Sequence, residues 1–264
     1  MLKILILVLI ASAITANSVI IISDTHKRYS TALWMLNITA AIASSLGIIA
    51  IYRHGFYGLH GKSYLFLTLG LISWFSADFT LLYYYYAFGI EEQILVSFPD
   101  GFWFAGYVFL ALHLFTILRS LRNTIKSQVV VIVSVVTLLF VIYNVFTLAS
   151  SKFLVDVDFS AFVVTIAYPI LDLILIVPSS VILVSLRKDY QHSIPWFLSS
   201  LSLLINAVAD DGYVHDFVRG NSENLWFWEL FYVTDFIIMA AALFWYNRFH
   251  ISDELRKKKK ITIE

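Results

Sequence analysis

Tyr168-Pro169-Ile170-Leu171-Asp172-Leu173-Ile174-Leu175-Ile176-Val177-Pro178-Ser179-Ser180 puts one carboxylate and two prolines inside a run otherwise apolar enough to cross a bilayer. An Asp at the middle of a spanning helix costs about 2.5–3.5 kcal/mol on insertion scales, so its presence there asks for a partner. Each proline removes a backbone donor and tends to kink its helix, leaving carbonyls that need other partners. The segment reads as one wall of a polar site within a helical membrane bundle.

The rest of the chain is of the same kind. Hydrophobic residues make up 60% of the 264 and charged ones 14%, with a mean hydropathy of +0.82. Soluble domains run at roughly 45–50% apolar and about 25% charged. Zero formal net charge argues against a nucleic-acid partner. The lack of cysteine excludes disulfides, Cys-ligated zinc, iron–sulfur clusters and thiol catalysis.

Apolar stretches of spanning length occur at 3–23, 30–52, 63–87, 101–120, 127–149, 160–186, 194–214 and 225–247, and none alternates like a barrel strand. The expected fold is therefore all-α, a polytopic membrane protein with eight transmembrane helices over residues 1–250 and a basic cytoplasmic tail at 251–264. The small residues Ala11-Ser12-Ala13 give the N-terminus the look of a signal peptide. Its apolar run nevertheless continues through Ile22, so an uncleaved first helix is expected.

Orientation follows from the basic residues. Both ends and the even-numbered loops carry Lys3, Arg53, Lys62, Arg119, Arg122, Lys126, Arg187, Lys188, Arg248, Arg256 and Lys257 to Lys260, 14 in all, against Lys27, Arg28, Lys152 and Arg219 in the odd-numbered loops. The positive-inside rule then places the chain in the cell membrane with both termini cytoplasmic, and an even helix count agrees.

A weak internal repeat is present as well. Asn37 precedes Ser44-Ser45 by the same seven residues that separate Asp172 from Ser179-Ser180; Ala77-Asp78 corresponds to Ala209-Asp210; and Phe102-Trp103-Phe104 corresponds to Leu225-Trp226-Phe227. These matches suggest two four-helix halves, 1–122 and 123–250, in parallel orientation. Chance similarity among apolar helices is the competing explanation.

At 1.5 Å of rise per residue, Asp78 lies about 12 Å from the outer end of the third helix and Asp235 about 14 Å from that of the eighth. Asp210, Asp211 and Glu229 lie nearer the same surface, Asn144 about 8 Å in on the fifth helix, and Asp172 and His113 near the midplane. Polar groups thus gather in the outer halves, the inner halves reading as nearly devoid of them, and no Lys or Arg shares their depth. Several carboxylates in one low-dielectric space cannot all be ionised. Either each bonds locally to a neighbouring helix as packing glue, or they surround one outward-facing cavity that holds protons, water or a cation.

Most aromatics fall near helix ends, as interfacial belts do. Trp74 and Tyr107 lie deeper and could line a ligand cage beside the acids. His54 and His60 read as solvated residues of the loop at 53–62. His113 and His215 are the weak candidates for a metal, and no cofactor can be assigned. A retinal protein would need a lysine deep in its last helix, and none lies between 225 and 247.

Leu69-Gly70-Leu-Ile-Ser-Trp74-Phe-Ser-Ala77-Asp78, Ser97-Phe-Pro99-Asp100-Gly-Phe-Trp-Phe-Ala-Gly106-Tyr107, Tyr168-Pro169-Ile-Leu-Asp172 and Ala209-Asp210-Asp211-Gly-Tyr213 together resemble the multi-pass N-terminal sensor modules of prokaryotic membrane signalling proteins, which are fused to diguanylate cyclase, PAS or histidine kinase domains. The resemblance implies a ligand-sensing bundle; with only a short basic tail after residue 250, its output would pass through a cytoplasmic or membrane signalling partner and not through an enzymatic domain of its own. The expected function is a stand-alone sensor or receptor-like protein, with no enzymatic activity assigned, binding a small ligand, a cation among the candidates, through Asp78, Asp172, Asp210, Asp235, Asn144 and Glu229, with Tyr107 and Trp74 shaping the site. A cation- or proton-coupled transporter and a structural subunit of a membrane complex are the alternatives.

Overall fold

Long runs of Leu, Ile, Val, Phe and Ala, interrupted by glycine and proline mainly at their ends, leave the backbone one economical way to satisfy its own hydrogen bonds in an apolar setting, the α-helix. The computed structural model describes residues 2–89, 97–149, 159–186, 193–219, 221 and 225–250, and these are helical nearly throughout. The helices are α1 (Leu2–Ile22), α2 (Arg28–His54), α3 (Gly58–Phe88), α4 (Phe98–Leu121), α5 (Ser127–Ala149), α6 (Phe159–Leu186), α7 (Ile194–Val218) and α8 (Leu225–Trp245), the last continuing as a π-helical turn over Tyr246–His250. No strand occurs among the described residues. The tail at 251–264 lies outside them.

Seven of the eight helices are long and apolar enough to cross a membrane. The exception is α7, whose serines, Asn206 and three aspartates lower its hydropathy although it runs 25 residues.

Six helices close into a ring in the order α2, α3, α4, α6, α7, α8, each packed on the next and α8 returning to α2. On the outside, α1 lies against α8 and α2, and α5 against α6 and α7. The inner half of the ring is filled by side chains such as Leu67, Leu71, Leu114, Ile182, Leu203 and Leu243, all buried. The peripheral helices bury little: only 6% of the apolar stretch of α1 and 17% of that of α5 are covered. Such broad apolar exposure, as at Leu7, Ile14, Val131 and Leu139, is far more than a water-facing surface carries.

Two inner-end assignments are corrected. The expected loop at 53–62 shrinks to Gly55, Phe56 and Tyr57, because Gly55 and Gly58 adopt φ of 81° and 73° and reverse the chain within a few residues. His60 therefore belongs to α3, where its ring stacks on Trp196 at 5.0 Å and 13°. Likewise Tyr64 and Tyr246 are not interfacial; both are buried and stack on each other with centroids 3.6 Å apart.

Candidate functional site

Helical spacing builds the site. Trp74, Asp78 and Leu81 recur at four and three residues along α3, Trp103 and Tyr107 at four along α4, Asn206, Asp210 and Tyr213 at four and three along α7, and Glu229, Tyr232 and Phe236 at three and four along α8. Each set forms one stripe. All of these side chains, with Tyr168 of α6 and Tyr29 and Leu36 of α2, line a single cavity of about 90 Å³ in the outer half of the ring. A water's share of liquid volume is about 30 Å³, so that is room for about three waters. Three carboxyl groups face the space and, among the described residues, no lysine or arginine does.

Tyr107 connects two of the acids. Its hydroxyl lies 2.6 Å from Asp172 Oδ1 and also within bonding contact of Asp210 Oδ2. A phenol has a single proton to give. For both contacts to be hydrogen bonds, one carboxyl must itself hold a proton and donate it to the phenolic oxygen. Asp210 Oδ1 in turn accepts from the Tyr232 hydroxyl at 2.6 Å. The sequence Asp172, Tyr107, Asp210, Tyr232 is thus a hydrogen-bonded chain crossing from α6 through α4 to α7 and α8, and such chains strengthen each other in a low-dielectric interior.

The opposite wall is built around Asp78, whose Oδ1 accepts from Trp103 Nε1 at 3.2 Å. Trp74 donates to the Trp103 carbonyl at 3.2 Å and meets Tyr107 edge-on, with centroids 5.5 Å apart at 72°. Its indole fits because residue 106 is glycine: a Cβ there would lie 2.2 Å from Trp74 Cδ1. The N-terminus of α4 is fixed by Asp100, which accepts from the Ser97 backbone at 2.6 Å and from the Tyr168 hydroxyl at 2.5 Å. That bond ties the α4 cap to the proline-bearing α6.

Of the eight residues expected at the site, Asp78, Asp210, Glu229, Tyr107 and Trp74 line the cavity. Two stand behind it: Asp172 through Tyr107, and Asp235 through Asn206, whose amide donates to Asp235 Oδ2 at 2.7 Å. Asn144 is not among the lining residues. Its depth along the membrane normal suited the cavity, but α5 lies outside the ring, so depth alone misplaced it. Glu229 is only 5% exposed, and its Oε2 has no hydrogen-bond partner.

The two histidines do not come together. His113 is fully buried with Nδ1 2.9 Å from both the hydroxyl and the carbonyl oxygen of Ser63. This pair sits toward the inner ends of α3 and α4, so the inner half is less apolar than the sequence suggested. His215 stands near the outer end of α7, where its carbonyl accepts from the Arg219 backbone. Among the described residues no group of three histidine or acidic side chains is placed to hold a metal.

Tyr232, Tyr168, Trp103 and Asn206 line the site without having been singled out. The helical stripe shared with an acid, Glu229 to Tyr232 and Asn206 to Asp210, was the signal that could have found two of them. No family model, curated protein or solved structure matches this chain.

Proposed function

We propose that the protein is an eight-span membrane receptor or sensor that binds a small organic cation in the cavity between α3, α4, α7 and α8. One observation carries the reading: Asp78, Asp210 and Glu229 share a cavity with Trp74, Trp103, Tyr107 and Tyr232, and among the described residues no fixed positive charge lines it. Carboxylates supply the charge, and aromatic faces attract cations through their quadrupoles. A cation entering this site would relieve the cost of burying acids without counter-charges.

The eighth span is α7, whose Asp210 lines the cavity and whose Asp211 is buried, so that neither acid is left facing lipid. Two parallel halves, 1–122 and 123–250, are supported by the ring order, since α2-α3-α4 and α6-α7-α8 pack alike. The corresponding pairs also meet: the Asn37 amide donates to the Asp78 carbonyl at 3.2 Å, as Asp172 meets Asp210 through Tyr107. Both termini are assigned to the cytoplasm. Binding would be read out at the inner end of α8, where the Asn247 amide donates to the Leu46 carbonyl at 2.9 Å and Arg53 holds the Asn247 carbonyl, and passed to a separate signalling partner.

The transporter reading needs a second access route, and the packed inner half, with Tyr64 stacked on Tyr246, speaks against one. The test is thermal stabilisation of the purified chain by butylamine. Wild type should gain stability and Asp210→Asn should not; equal gains would mean the amine binds elsewhere.

A further inference from the structure

Which cation the site would take is written in the placement of its acids. In the ring, α3 and α7 are separated by two helices in either direction, so they form opposite walls. Asp78 comes from one and Asp210 from the other, with Glu229 on α8 near both. Between them run the faces of Trp74, Trp103 and Tyr107.

A singly charged amine brings one positive charge to three carboxyl groups. It would leave the others uncompensated, and the buried Oε2 of Glu229 already lacks a hydrogen-bond partner. An inorganic dication draws its ligands from oxygen within about 2.0–2.6 Å. It would have to gather oxygens onto one point and would make no use of the aromatic walls. A chain with an ammonium at each end answers both features, its methylenes lying along the indole and phenol rings while each end meets a carboxylate.

Resting on the cation-binding reading above, we propose that the cavity is a site for a short α,ω-diamine, held by Asp78 at one end and by Asp210 at the other, with Glu229 between them. A cavity of about 90 Å³ points to a short chain, and a diamine of about four carbons is the probe of choice.

The test compares 1,4-diaminobutane, butylamine and Mg²⁺ on the full chain in detergent by calorimetry and thermal shift. Diaminobutane should bind at least tenfold more tightly than butylamine. Asp78→Asn should bring the diamine down to the affinity of butylamine while leaving butylamine itself unchanged, because only the diamine reaches the second wall. Glu229→Gln should weaken both amines, and Asp78→Ser, with the same expected split between diamine and monoamine, serves as the second variant should Asp78→Asn not fold. Equal affinity of the two amines, or an Asp78→Asn loss shared by both, would overturn the diamine assignment and leave the cation site standing. Stabilisation by Mg²⁺ matching that by the diamine would overturn it in favour of an inorganic ion. If neither amine nor Mg²⁺ binds, this inference and the reading beneath it fall together.

Discussion

Asp172 on α6 reaches Tyr107 on α4 with 2.6 Å between its Oδ1 and the phenolic oxygen, although its helix contains prolines three residues before and six after it. The other oxygen of Asp172 is buried and has no hydrogen-bond partner, and its carboxyl also stands close to that of Asp210. Removing the phenol with Tyr107→Phe takes away the hydroxyl that joins the two acids. A buried polar group left without a partner costs about 1–3 kcal/mol, and thermal unfolding should fall accordingly. Adding Asp172→Asn to Tyr107→Phe should cost less than the sum of the two single changes, because the members of one network do not add. Strict additivity would show that Tyr107 and Asp172 are not coupled.

Gly106→Ala tests the seat of Trp74. The new methyl would stand 2.2 Å from Cδ1 and 2.3 Å from Nε1 of the indole, which must move and give up its bond to the Trp103 carbonyl. Overpacking of this kind costs about 1–3 kcal/mol. Both tryptophans line the cavity, so amine binding should weaken along with stability. Gly101→Ala, five residues earlier on α4, meets nothing within 4 Å. There, the helix-forming advantage of alanine, about 0.5–1 kcal/mol, should leave stability unchanged or raised. Calorimetric unfolding of the two variants side by side decides the point.

How much of this arrangement was open to inspection in the residues depended on which coordinate was asked for. Depth was legible, because a rise of 1.5 Å per residue converts sequence position directly into distance from the surface. Asp78, Asp210 and Glu229 were placed in the outer half on that ground alone. Azimuth was not, because helices apolar on nearly every face carry little periodic contrast to say which side turns inward. Asn144 shows the consequence, at a fitting depth on a helix outside the ring, and Asp235 shows it more mildly, six residues past Glu229 and so turned to another side of α8, bonded to Asn206 behind the cavity wall. Aromatic side chains misled for a related reason. Tyr64 and Tyr246 stand near the ends of the apolar runs, where belts occur, but α3 begins several residues before its run and carries Tyr64 into the core.

A cation in this cavity competes with protons for the same carboxyls. Around Asp210 stand Tyr107 from α4, Asp172 and Tyr168 from α6, Tyr213 from α7, and Tyr232 and Glu229 from α8, with Asp78 across on α3; among the described residues no positive side chain lines the site. With Tyr107 bonded to both acids, one proton resides on Asp172 or Asp210, and a cation at Asp210 competes with it. Binding should therefore release protons, and affinity should rise with pH, by up to tenfold per pH unit for each proton displaced. The rise should end as the amine loses its own charge near pH 10, the range of a lysine-type ammonium. Isothermal titration in two buffers of different ionisation enthalpy reads the number released. A count of zero would place the cation away from this network.

The placement of α7 as a spanning helix can be tested with single cysteines, since the chain has none of its own. Thr25 follows α1 and Asn221 follows α7, both exposed; Tyr57 and Thr124 are exposed in the turns after α2 and α4. With both termini cytoplasmic and eight spans, Thr25→Cys and Asn221→Cys should react with a membrane-impermeant maleimide on intact cells. Tyr57→Cys and Thr124→Cys should react only after permeabilisation. If Thr25 labels from outside and Asn221 does not, α7 fails to cross, and Asp210 would no longer face Asp78 across a cavity within the membrane. Because α7 brings Asn206 and Asp210 to the cavity, the amine site and the eighth span stand on the same measurement.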